Sequence, residues 1–236
     1  MVRGIIARIG RLIKIRAVED LCVAYQVLAM AHFAAGDRIS CIRAMESAHA
    51  QGHLNVNGFA NFLVYYGNWG DAEKCLELCK LINENFKDSK TALRAAVSFA
   101  SMFCARQLTN ELFEALSNIS INDPIDETHG LIKRMFSRTE ARMEELKFRE
   151  EDVRARLETA VNFLRENYIE VQRINAVTLH DGSFMYQLFI QQGTQECSEL
   201  NFGIAENLCV NFEDTGIELF SVVCRPLNTY QEVMSG

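Results

Sequence analysis

Apolar positions recur at helical spacing along most of the chain and alternate in strand fashion only near its end. Over residues 2–15, Val2, Ile5, Ile6, Ile9, Leu12 and Ile13 fall on one face at a period of about 3.6 residues. Arg3, Arg8, Arg11 and Lys14 fall on the other. This predicts an amphipathic first helix. From about Ile132 to Tyr168 the chain is dense in Glu, Arg and Lys. A narrow apolar stripe runs through it: Ile132, Met135 or Phe136, Met143, Leu146, Val153, Leu157, Ala160 or Val161, and Leu164. The stripe predicts one long helix, or two with a break. It serves either as a coiled-coil seam, interrupted by Arg142, Arg149 and Arg156, or as a solvated link. Asp123 and Pro124 stand ahead of it as a cap and a first-turn proline. Glu145–Arg149, Glu150–Arg154 and Asp152–Arg156 are i,i+4 pairs in the favourable order.

The period changes at Arg173. "RINAVTLHDGSFMYQLFIQQ" predicts a β-hairpin about a two-residue turn at Asp181-Gly182, with Leu179 opposite Phe184 and Val177 opposite Tyr186. Thr194 is the expected cap of a helix carrying Cys197, Leu200, Ile204 and Leu208 on one face. The run from Gly216 to Cys224 predicts a third strand, ended by Pro226. The unit is ββαβ, and its edge strands favour pairing or cover.

A longer period runs through the first half. Gly36-Asp37 recurs 34 residues on as Gly70-Asp71, and Cys41 recurs as Cys75. Tyr25 aligns with Phe59 and Leu28 with Phe62; one further step places Leu93 beneath Phe59, Cys104 at the glycine position and Phe113 beneath Cys79. The glycines suit the left-handed residue that ends a helix, and the aspartates suit caps for the next. Over about residues 22–121 this spacing resembles the tetratricopeptide repeat, a helix–turn–helix unit that stacks because one pair cannot bury its own face. The resemblance is to repeat one at Tyr25, Leu28-Ala29, Gly36-Asp37, Cys41 and Ala48, and to repeat two at Phe59, Phe62, Tyr66, Gly70-Asp71 and Cys75. Leu63 stands where the family prefers a small residue, and the third repeat has lost the Gly-Asp. The expected fold is therefore mainly α with a small α+β C-terminal unit: a tetratricopeptide-like antiparallel helix-pair array with its basic first helix over 1–121, a charged helical linker over 122–168, and a ββαβ domain over 169–236.

Composition adds little except through charge and cysteine. Hydrophobic residues are 49% and charged residues 23%, ordinary for a globular chain. Net charge is −7, yet residues 1–16 hold Arg3, Arg8, Arg11, Lys14 and Arg16 and no acid. The acidic remainder argues against a large nucleic-acid footprint, and the basic arm allows a smaller contact with nucleic acid or an anionic membrane. The opposing reading is a first helix packed on its neighbour. Arg and Lys interrupt the apolar residues of the first segment, so a secretory h-region is not expected, and free thiols in a reducing cytoplasm are.

The motifs of chemistry have cheaper structural readings. Cys75 and Cys79 share a helix face, but Cys41 and Cys75 sit where the repeat wants small residues, so packing is expected and no metal. His49 and His53 are separated by Gly52, a helix end. His32 takes an aromatic core position. Asp181 of His180-Asp181 is turn chemistry, and Cys224 completes the few candidates for catalysis. No nucleophile elbow, phosphate loop, dinucleotide fingerprint or zinc-protease motif is present. The expectation is a non-enzymatic interaction protein, an adaptor or chaperone-like module without cofactor. The resemblance implies a groove of Gln26, Met30 and Phe33 from repeat one, Asn57, Asn61 and Val64 from repeat two, and Arg94 and Ser98 from repeat three. Arg94 and Asn61 stand without the paired lysines of the family's carboxylate clamp, so the expected ligand is a neutral or apolar peptide or a partner's helix. A homodimer through the sheet edge or the charged helix is the further partner expected. The alternative is a regulator that touches nucleic acid or anionic membrane through the basic helix.

Overall fold

The computed structural model describes residues 2–15, 20–51, 54–119 and 127–229. The chain is mostly helical, with ten helices and a three-stranded mixed sheet among these residues. The expected cap at Asp123-Pro124, and His53, lie outside them. Two compact units divide the chain at Tyr65 and Tyr66, within the fourth helix.

The first unit begins with α1 (Val2–Lys14), which packs on α2 (Leu21–Ala34); α2 pairs with α3 (Arg38–Ala50), and α4 (Val56–Asn68) follows. Local chemistry fixes each boundary. The Asp20 carboxylate accepts from Val23 N–H at 3.0 Å and starts α2. Gly36, at φ 72°, ends it: Gly36 N–H reaches the Phe33 carbonyl and Asp37 N–H the His32 carbonyl, both at 3.0 Å. Asp37 then caps α3 by accepting from Ser40 N–H at 3.0 Å. Ala24, Ala29, Cys41, Ala44, Met45 and Ala48 are buried, so small side chains line the contact between α2 and α3.

The second unit contains α5 (Ala72–Asn85), α6 (Lys90–Met102), α7 (Arg106–Ile119), α8 (Glu127–Leu146), α9 (Glu150–Glu166) and α10 (Thr194–Asn211), with β1 (Arg173–Thr178), β2 (Phe184–Ile190) and β3 (Phe220–Pro226). The Gly36 turn is repeated at Gly70, φ 72°, where Gly70 N–H reaches the Gly67 carbonyl and Asp71 N–H the Tyr66 carbonyl. It is repeated again at Cys104, φ 54°, with Cys104 N–H on the Ser101 carbonyl and Ala105 N–H on the Ala100 carbonyl. The third turn thus keeps the geometry after losing the glycine. Helices α5, α6 and α7 pack pairwise about Cys79, Ile82, Leu93, Ala96, Val97 and Leu112, all buried.

The charged segment is two helices. Lys147, at φ 59°, closes α8 with the same turn: Lys147 N–H bonds the Glu144 carbonyl and Phe148 N–H the Met143 carbonyl. That break puts Arg149 outside α8, so the expected Glu145–Arg149 pair does not form. Arg149 instead grips Asp152, at 3.0 Å, and the Asp152 carboxylate accepts the Arg149 backbone N–H at 3.1 Å where α9 begins. Glu150–Arg154 forms as expected, at 3.2 Å. Asp152 binds Arg156 through its backbone carbonyl, at 2.8 Å, in place of the expected carboxylate contact. The stripe of α9 is covered by the unit itself: Val153, Leu157, Ala160, Val161 and Leu164 are buried, and α9 packs on α10. The interrupting Arg156 is buried too. Its guanidinium lies over Phe212, 4.2 Å away, and Phe148, 5.2 Å away, and donates to the Asp214 carbonyl.

The sheet order is β1-β2-β3, with β1 antiparallel and β3 parallel to β2, which is the ββαβ topology. The hairpin register differs by one residue from the expected one. Thr178 faces Phe184 and Ala176 faces Tyr186. The cause is the turn: Asp181 accepts from Ser183 N–H at 3.0 Å and Ser183 O–H at 2.6 Å, Gly182 takes φ 85°, and Leu179 N–H closes on the Ser183 carbonyl at 2.7 Å. Three residues therefore cross the turn, and Leu179 is left exposed. Phe184, Tyr186 and Leu188 share the buried face. The Tyr186 hydroxyl donates to the Met102 carbonyl at 2.7 Å, which ties the sheet to the end of α6.

Candidate functional site

Helix α2 is apolar nearly all round: its only amide and imidazole are Gln26 and His32, and it carries no Asp, Glu, Lys or Arg. A helix of that kind is ordinarily enclosed. Here one face is buried through Ala24, Gln26 and Ala29, while Val23, Val27 and Met30 are 44%, 41% and 47% exposed. These three stand at i, i+4 and i+7, so they form a continuous stripe on one side. Of the expected groove residues, Met30 lies in this stripe. Gln26 is buried: its amide donates to Cys22 Sγ at 3.2 Å, and its Oε1 lies 3.0 Å from where a side chain at Gly58 of α4 would begin. Phe33 is half-buried and stacks on Tyr65 with ring centroids 4.3 Å apart. Asn57 is exposed, and Asn61 and Val64 are half-buried, all on α4. The structure thus gathers α2 and α4 residues in the first unit, with Gln26 and Phe33 serving packing between helices. Val23 and Val27 had no place in the expected groove. Their signal was the lack of charge around α2.

Arg94 and Ser98 belong to α6 in the second unit and are half-buried. The Ser98 hydroxyl donates to the Arg94 carbonyl at 3.0 Å. Ser98 also lines a cleft of about 220 Å³ with Phe99, Met102, Ile132, Phe136, Ala176 and Phe184. Compared with known proteins, the chain matches no protein-family model, no curated protein and no solved structure.

Of the groups considered for catalysis, Asp181 and Cys224 are engaged structurally, and His180 is exposed beside the turn. Asp181 is held by Ser183, whose hydroxyl and N–H lower its pKa. Cys224 is buried, and burial pushes its thiol to about 12, far from a thiolate at neutral pH. Cys41 and Cys104 are likewise pushed to about 12 by burial. His32 Nδ1 lies 3.4 Å from the Asp37 carboxylate, whose pKa is lowered by Ser40 N–H and by His32. All eight cysteines are free thiols, and no cluster of three or more metal-ligating side chains occurs among the described residues. None of the described helices is long and apolar enough to cross a membrane.

Proposed function

We propose that the chain is a non-enzymatic interaction module whose helical array holds a neutral or apolar peptide, or a partner's helix. The observation that carries this reading is the uncharged α2 with Val23, Val27 and Met30 open to solvent. A stripe at this spacing suits an amphipathic helix laid alongside, and the exposed Asn57 offers an amide for a ligand's backbone. The recurrent turn at Gly36, Gly70 and Cys104 supports the finer reading of a tetratricopeptide-like array. The free thiols fit a reducing cytoplasm.

Peptide selection by phage display against the full chain tests this. Enriched peptides should carry apolar residues at helical spacing and little net charge. Met30→Asp should weaken their binding at least about tenfold by placing a carboxylate in the apolar contact. Its melting temperature should stay close to the parent's, because Met30 is exposed. Peptides that bind Met30→Asp as tightly as the parent would show that the α2 stripe is not the site.

A further inference from the structure

We infer that α1 is a docking helix for an anionic phospholipid surface. Alone among the ten helices, α1 buries none of its residues. Its apolar arc touches α2 but is not enclosed: Ile5 is 44% exposed, and Val2, Ile6, Ile9, Leu12 and Ile13 are only partly covered. Ile15, just past the helix and on the side of Arg8 and Arg11, is 64% exposed. On the opposite arc Arg3, Arg8, Arg11 and Lys14 are all exposed, and the helix contains no acid. Exposed isoleucines beside unpaired cations are the two demands of an interfacial helix, apolar insertion and attraction to charged headgroups.

Two further features favour lipid over nucleic acid. The acidic body repels any polyanion alike, so charge alone does not choose between them; the exposed isoleucines do, because a phosphate backbone has no use for them. Gly4 lies in the first turn and Gly10 in the interior of the helix, and an added side chain at either would meet nothing within 4 Å. Packing therefore does not require them, and they weaken the helix in water. An interface that covers the apolar arc supplies the missing stabilisation.

The test is co-sedimentation of the full chain with vesicles of phosphatidylcholine alone and of phosphatidylcholine with phosphatidylserine. Binding is expected to the second only, and to fall as salt rises. Arg8→Gln with Arg11→Gln should weaken it by about fivefold per cation removed. Ile5→Gln should weaken it further at unchanged charge. These side chains are exposed, so melting curves should match the parent. Equal binding to both vesicles, full binding by the double variant, or capture of duplex DNA without capture by the charged vesicles overturns the inference. The comparison of the two vesicle types needs no variant.

Discussion

Left-handed residues other than glycine mark three helix ends: Cys104, Lys147 and Tyr168. Each follows the hydrogen-bond pattern of a turn that glycine makes at lower strain. The side chain decides whether the strain is worth keeping. Cys104 is buried, with its sulfur 4.0 Å from the Tyr186 hydroxyl. Lys147 is exposed, and its side chain has no packing to lose. Lys147→Gly should therefore stabilise the protein by about 1 kcal/mol, raising the melting temperature by roughly 2–4 °C in calorimetry. An unchanged or lower melting temperature would mean that the side chain contributes more than its backbone strain costs. The position of Cys104 was legible through the 34-residue step. That of Lys147 was not, because no glycine announces the break between α8 and α9.

Charged side chains on a helix are commonly read as a wet face, and α9 shows where that reading fails. Arg156 fills the space between two phenylalanine rings and closes on the backbone at Asp214. The alternation of charge in α9 said nothing of Phe212 and Asp214, because they arrive from beyond α10. Arg156→Ala would leave a cavity and an unpaired carbonyl at Asp214, and should cost about 2–4 kcal/mol in urea unfolding. Arg156→Lys should recover only part of this, since an ammonium lacks the planar fork. Equal stability of all three proteins would count against the buried clasp. The hairpin carries the same lesson. Its strands were readable from alternation, but the hydrogen bonds of Asp181 to Ser183 lengthened the turn and slid the register.

For the molecule as a whole, the buried thiols set a limit at high pH. Cys41, Cys104 and Cys224 titrate near 12 when folded, against about 8.5 in an unfolded chain. Between these values the unfolded chain has lost protons that the folded chain retains, so stability is complete below about pH 8.5 and declines as pH rises toward 12. The decline should approach about 1.4 kcal/mol per pH unit for each thiol. Urea midpoints measured at rising pH check this, and replacing the three cysteines with alanine should flatten the curve. The helix pairs and the ββαβ order were visible in the sequence because both rest on local period and turn chemistry. The way the sheet joins the helices was not, since it hangs on contacts such as Tyr186 to Met102 across long stretches of chain.

One side-chain amide also has a bearing on how the protein keeps company with itself. Asn201 of α10 donates to the Cys224 carbonyl at 3.4 Å and accepts from the Cys224 N–H at 2.6 Å. It occupies both hydrogen-bonding groups that β3 would there offer to a further strand. A newcomer must evict that amide before it can bond at Cys224, and the evicted group must find new partners. At high concentration this raises the barrier to strand-by-strand polymerisation along β3, so the sheet carries its own terminator.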